Sequence, residues 1–244
     1  MNWTDHLPAL LLAVPLLGAF VTPLVSLGGK MLRNTLLVVT TFVTLVIAFL
    51  LWKDVLVSGT AVYVMGEKVF NLTMPSGMKL PVRIILEADA FSAFMALCGA
   101  IASFAGALFS LNYMEGFSGM KRYVSLYCLL TVGMLGMTIT GDLFNFFVFI
   151  EIASIASFGL IAFWRDKAEA VEASFKYTLV SQVASMVLLL AFGALYGKYN
   201  ALNIAAIGSL LKFGFMEKIV LVFIVASLAC KCGAFPMHTW LPDS

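Results

Sequence analysis

The chain has 244 residues, of which 62% are hydrophobic and 11% charged, and its mean hydropathy is +1.02. A soluble domain carries roughly 25% charged residues, so this is the composition of a membrane protein. Its net charge of +2 comes from 15 Lys and Arg against 13 Asp and Glu, with the bases spread over connections instead of gathered in a patch or tail, which sets nucleic-acid binding aside.

Hydropathy divides the chain into seven apolar stretches of about 20 residues, each able to span about 30 Å of hydrocarbon. They predict an all-α integral membrane protein, with residues 1–244 as a single transmembrane domain. The first helix is expected over 7–27. It opens on Asp5 and His6 in place of a basic segment and runs to Gly28-Gly29-Lys30 without an Ala-x-Ala site, so it is expected to remain as a spanning helix. Pro8 lies in its first turn, and Pro15 and Pro23 are expected to kink it. The second helix is expected over 34–52.

The connection from Lys53 to Glu87 has room for structure of its own. Ala61-Val-Tyr-Val-Met and Leu80-Pro-Val-Arg-Ile-Ile-Leu are rich in β-branched and aromatic residues around Pro75-Ser-Gly77, a pattern that predicts a β-hairpin on the membrane surface. Helices three to six follow over 90–112, 122–140, 142–164 and 170–197, with Asp89 and Asp142 in capping positions. Residues 200–213 are mildly amphipathic and predict a short interfacial helix. The seventh helix is expected over 216–236, broken by Pro236.

Lys30 and Arg33, Lys121 and Arg122, and Arg165 and Lys167 fall in connections on one face, whereas the fourth-to-fifth connection opposite carries Asp142 and no base. By the bias of basic residues toward the cytoplasm, the N-terminus lies outside.

Two ionisable residues stand in the apolar runs, Glu151 in the fifth helix and Lys231 in the seventh. A charge at the bilayer centre costs about 2.5–3.5 kcal/mol on insertion scales, so an acid and a base kept at this depth point to a proton or ion pathway. Glu151 lies nine residues past Asp142, about 13 Å along a helix. Phe147, Phe149 and Ile150 around it favour the neutral carboxyl and a nearby cation the ionised one, so it is poised to exchange a proton. The plainer alternative is a structural Glu satisfied by Ser154 or Ser157. Lys231 precedes Pro236 by five residues, where freed backbone carbonyls can stabilise a cation; alternatively its ammonium snorkels to the interface. Lys176 has Glu172 one turn earlier, in the order that favours an ion pair, and it either closes that pair or modulates Glu151 from the next helix. His238 titrates in the range of a proton relay, or packs beside Trp240. Cys98, Cys128, Cys230 and Cys232 are expected to be small buried hydrophobes.

The motifs carry a family resemblance. Asp142-Leu-Phe-Asn-Phe-Phe-Val-Phe-Ile-Glu151 with Ser157-Phe-Gly-Leu-Ile, together with Lys231-Cys-Gly-Ala-Phe-Pro-Met-His-Thr-Trp-Leu-Pro-Asp243, resembles the antiporter-like subunits shared by respiratory complex I, Mrp-type sodium/proton antiporters and membrane-bound hydrogenases. The second motif is highly specific. The resemblance implies that Glu151 and Lys231 are the charged pair of a proton channel, that the early β-hairpin and broken seventh helix are family features, and that the chain sits in the inner or plasma membrane. The family has two inverted five-helix repeats in about fourteen helices, and this chain covers about the first half. The expectation is therefore of a further chain that completes the fold or of a half-channel.

The resulting expectation is a proton-translocating subunit, serving proton or sodium/proton exchange, in a multisubunit antiporter or redox-driven pump. Its expected partners are other membrane subunits and a redox module with iron–sulfur clusters. The chain has neither iron–sulfur Cys spacing nor a nucleotide-binding glycine motif, so no cofactor or metal is expected in it, and electron transfer is assigned to partners. A non-conducting scaffold is the alternative. A retinal pump also has seven helices and a lysine in the last, but the third helix here lacks a carboxylate to serve as counter-ion.

Overall fold

The computed structural model describes residues 3–65, 72–73, 79–80, 84–114, 116–212 and 214–242. Helix α1 spans Leu7–Val25, α2 Lys30–Ser58, α3 Ala90–Tyr113, α4 Met120–Ile139, α5 Leu143–Ile161, α6 Ala168–Tyr199, α7 Ile204–Leu210 and α8 Phe215–Lys231. Helices α1 to α6 are each long and apolar enough to cross a membrane, and α1 runs unbroken through Pro15 and Pro23. The chain is a multi-pass, all-α membrane protein. The interfacial helix expected over 200–213 is α7.

Helices α1 to α4 form one bundle, in which α1 packs on α2 and α4, and α3 on α2 and α4. From that bundle α5 leans on α4, α6 on α5, and α8 on α6. Small residues set the spacing. Ala93, Ala96, Ala100, Ser103 and Ala107 are all buried along one face of α3. Large apolar residues such as Phe20, Leu24, Phe109, Val183 and Leu190 instead point outward, as they do where the solvent is lipid.

The expected hairpin is present with its second strand shifted along the chain. Strand β1, Ala61–Met65, pairs antiparallel with β4, Ile84–Ala88, in the register Ala61 to Ala88 and Met65 to Ile84. Leu80, expected to open that strand, belongs to a second small pair in which β2, Leu72–Thr73, meets β3, Lys79–Leu80. The expected Pro75-Ser76-Gly77 turn lies outside the described residues. The shift places Leu86 and Ala88 in the core beneath α1 and α2.

Both aspartates expected to cap helices do so. Asp89 Oδ1 accepts the Ser92 N–H at 2.7 Å, and Asp142 Oδ1 accepts that of Asn145 at 2.9 Å. The Ser92 backbone and side-chain bonds hold the Asp89 carboxyl below its ordinary pKa. Gly141, in the α4–α5 connection, donates to the Ile85 carbonyl at 3.0 Å and accepts from Ile204 N at 2.9 Å, so hairpin, connection and α7 lie on one face. On the other face Phe117, between α3 and α4, meets Trp164, between α5 and α6, with ring centroids 5.6 Å apart.

The cysteines divide. Cys128 and Cys230 are buried, whereas Cys98 and Cys232 are exposed, a correction to the expected burial of all four. An apolar run fixes that a residue is out of water, and a lipid-facing position meets that condition as well as a packed one.

Candidate functional site

Glu151 sits at the middle of α5 and Lys231 is the last residue of α8. The α8 helix stops there, five residues earlier than the break expected at Pro236, because Gly233 adopts a left-handed φ of +66° and closes the helix. The Gly233 N–H bonds the Cys230 carbonyl at 3.1 Å and that of Ala234 bonds the Ala229 carbonyl at 2.8 Å, a Schellman closure. The Trp240 indole N–H returns to the same Cys230 carbonyl at 3.2 Å, with its ring stacked on Tyr177 of α6 at 4.3 Å. The Ala229 and Cys230 carbonyls at the break are therefore taken by the chain itself.

The break presents the Lys231 ammonium to α5 and α6. Its Nζ lies 3.3 Å from Glu151 Oε1, 3.0 Å from Ser154 Oγ and 3.0 Å from Ser181 Oγ, which uses all three of its hydrogens. The Glu151 carboxylate also accepts from Gln182 Nε2 at 3.1 Å and from the Ser185 hydroxyl, both on α6. Side-chain exposure is 11% for Lys231 and 18% for Glu151, so the pair is largely enclosed by the helices around it. Ser154 serves the lysine, and Glu151 takes its partners from α6 instead of its own helix.

Close approach of α4 makes room for this. At Gly136 a Cβ would stand 2.2 Å from the Phe149 ring, and at Gly133 one would stand 2.7 Å from the Ala153 backbone nitrogen. Phe149 and Ala153 flank Glu151 in the sequence, so α4 fixes the backbone that carries the carboxylate.

The other two singled-out residues lie apart from this network. Lys176 pairs with Glu172 at 2.9 Å, with side chains 46% and 65% exposed. His238 is exposed beyond the end of α8, its ring 5.6 Å from that of Phe235. Conversely, Ser181, Gln182 and Ser185 were not anticipated. Their signal is the recurrence of Ser174, Ser181 and Ser185 at helical spacing in an apolar run, all three buried. Among the described residues, no group of three or more His, Cys, Asp and Glu is placed to hold a metal.

A family model described as NADH:quinone oxidoreductase/Mrp antiporter, TM matches residues 140–244, the segment that holds Glu151 and Lys231. NADH-quinone oxidoreductase subunit N of Desulforudis audaxviator is 31% identical over 99% of this chain and 47% of its own length. The chain belongs to the antiporter-like membrane subunit family. Within that family, a Na(+)/H(+) antiporter subunit of Alkalihalophilus pseudofirmus is 32% identical over 75% of this chain and 37% of its own. Two solved assemblies contain chains of similar fold. The membrane-bound sulfane sulfur reductase, an archaeal respiratory membrane complex, gives a TM-score of 0.82 at 32% identity over 98% of this chain and 47% of that one. The Mrp complex from a Dietzia species gives 0.80 at 28% identity, over 100% and 43%. The chain spans less than half the length of these antiporter-like relatives.

Proposed function

We propose that the chain is a proton-translocating subunit of a multisubunit complex in the cell membrane, in which Glu151 and Lys231 are coupled members of one relay. The observation that carries this reading is the ammonium–carboxylate pair at 3.3 Å, joined through Ser154, Ser181, Ser185 and Gln182 where the end of α8 meets α5 and α6, two helices long and apolar enough to cross a membrane. Two unit charges at that separation interact by several kcal/mol even at an effective dielectric near 20, so protonation of one changes the proton affinity of the other. Moving the lysine's charge away lets the carboxylate take up a proton, and its return expels that proton. Lys176 modulates the field of the pair from the start of α6, and His238 exchanges protons with the water beyond the break.

The partners we propose are further membrane subunits, a chain that completes the relay, and a redox module with iron–sulfur clusters, in keeping with the likeness to an archaeal respiratory membrane complex. Exchange of sodium for protons is the second reading, favoured by the 32% identity to a Na(+)/H(+) antiporter polypeptide.

The test is proton uptake into vesicles that contain the assembled complex, with and without sodium and normalised to assembled protein. Glu151→Gln and Lys231→Ala are each expected to abolish uptake. Wild-type rates in both would overturn the relay and leave a scaffold. Uptake that requires sodium would assign antiport.

A further inference from the structure

A second buried carboxylate lies at the opposite end of α8 from Lys231. Glu217, 4% exposed, stands in the first turn of that helix. Its Oε2 accepts the Gly214 N–H at 2.9 Å, and its Oε1 accepts both the Lys198 ammonium and the Tyr199 hydroxyl, the latter at 2.7 Å. Tyr199 Oη in turn receives the Lys212 N–H at 3.4 Å. One carboxylate therefore ties the end of α6, the connection after α7 and the start of α8.

Between Glu217 and Lys231 the two helices meet through apolar side chains, with Leu188, Phe192 and Leu195 of α6 against Val220, Ile224 and Leu228 of α8. Apolar contact is non-directional, so it holds helices together without choosing their register. A slip of one residue along α8 moves a side chain by about 1.5 Å and turns it by about 100°. The three Lys231 bonds of 3.0–3.3 Å cannot survive such a slip.

We infer that Glu217, gripped by Lys198 and Tyr199, is a positioning residue that sets the register of α8 on α6 and thereby delivers the Lys231 ammonium to Glu151. The two ends of α8 lie about 21 Å apart, so the pin acts through the rigid helix and not through the field of its charge. Only the consequence for transport rests on the relay proposed above; the geometric statement stands by itself.

Native cysteines supply the readout. Cys230 is buried beside Lys231, with its Sγ 4.0 Å from the Val180 carbonyl, and Cys128 is buried in α4, away from α8. In the full chain with exposed Cys98 and Cys232 replaced by Ala, the rate of labelling by a membrane-permeant maleimide is measured at both sites in membranes. Glu217→Gln keeps the size of the side chain and its capping bond to Gly214 but removes the charge that grips Lys198. Labelling of Cys230 is expected to rise by about an order of magnitude, with Cys128 unchanged. Lys198→Arg is expected to stay at the parent rate. Lys198→Gln, at a half-exposed position, is expected to behave like Glu217→Gln and serves if that variant does not accumulate.

An unchanged Cys230 rate in both neutralised variants overturns the inference, and so does a parallel rise at Cys128, which marks general loosening. Proton uptake by Glu151→Gln and Lys231→Ala is scored separately. If those two retain uptake while Cys230 responds to Glu217, the relay fails and the positioning role stands.

Discussion

An ammonium with three hydrogens and three acceptors is complete; an amine with two hydrogens is not. Loss of the proton from Lys231 leaves one of Glu151 Oε1, Ser154 Oγ and Ser181 Oγ without its donor in a place that water does not readily reach. The network thus favours the charged pair and disfavours any state that separates it. Breaking a buried pair by removing one partner typically costs 3–5 kcal/mol, because the other charge stays behind unpaired, whereas removing both is far less costly. Lys231→Met and Glu151→Gln are therefore expected to be non-additive in stability, the double variant melting above Lys231→Met. Thermal unfolding in detergent checks this, and strict additivity would show that the two do not share an environment. The charged pair was legible in the sequence because formal charges in apolar runs announce themselves. Ser181, Gln182 and Ser185 were not, since neutral polar residues satisfy themselves on a helix backbone and their direction depends on which neighbour packs there. For the same reason the exposed contact of His238 with Phe235 was not legible, while its suitability for a relay follows from its chemistry.

Helix positions followed from hydropathy, and their ends from local chemistry that hydropathy does not see. Asp89 and Asp142 marked two starts through a hydrogen bond three residues long. Proline is the louder breaker in sequence, but α8 ends at Lys231, five residues before Pro236, because Gly233 supplies a left-handed conformation that closes the helix. The contact between α4 and α5 is also a glycine effect, and here the consequence is spatial. Gly133 lies so near Ala153 that a methyl group must push backbone against backbone. Gly133→Ala is expected to destabilise by about 1–3 kcal/mol, as overpacking does, and to displace the α5 segment that carries Glu151. The measurement is the melting temperature together with the assembled fraction. Gly193→Ala on α6, where a Cβ meets nothing within 4 Å, is the matched control and is expected to leave both unchanged.

At the scale of the molecule, the connections sort onto two surfaces by contacts that run between them. The hairpin, the α4–α5 connection and α7 share backbone bonds around Gly141, and the α3–α4 and α5–α6 connections meet through Phe117 and Trp164. With Lys121, Arg122, Arg165 and Lys167 on the second surface, that surface is expected to face the cytoplasm. Single cysteines at exposed Ser118 and exposed Thr60 test it with an impermeant reagent on intact cells, where only Thr60→Cys is expected to react. Labelling of Ser118→Cys alone would invert the orientation.

The closure of α8 by Gly233, Ala234 and Trp240 has a bearing on the lipid. A helix interrupted by solvent stays open only where solvent can reach, so its break shifts as a bilayer thickens or thins. This break is sealed by the protein's own N–H groups. Hydrophobic mismatch is then expected to be taken up by tilt and by the outer turns of the helices, while the place of Lys231 beside Glu151, Ser154 and Ser181 is kept.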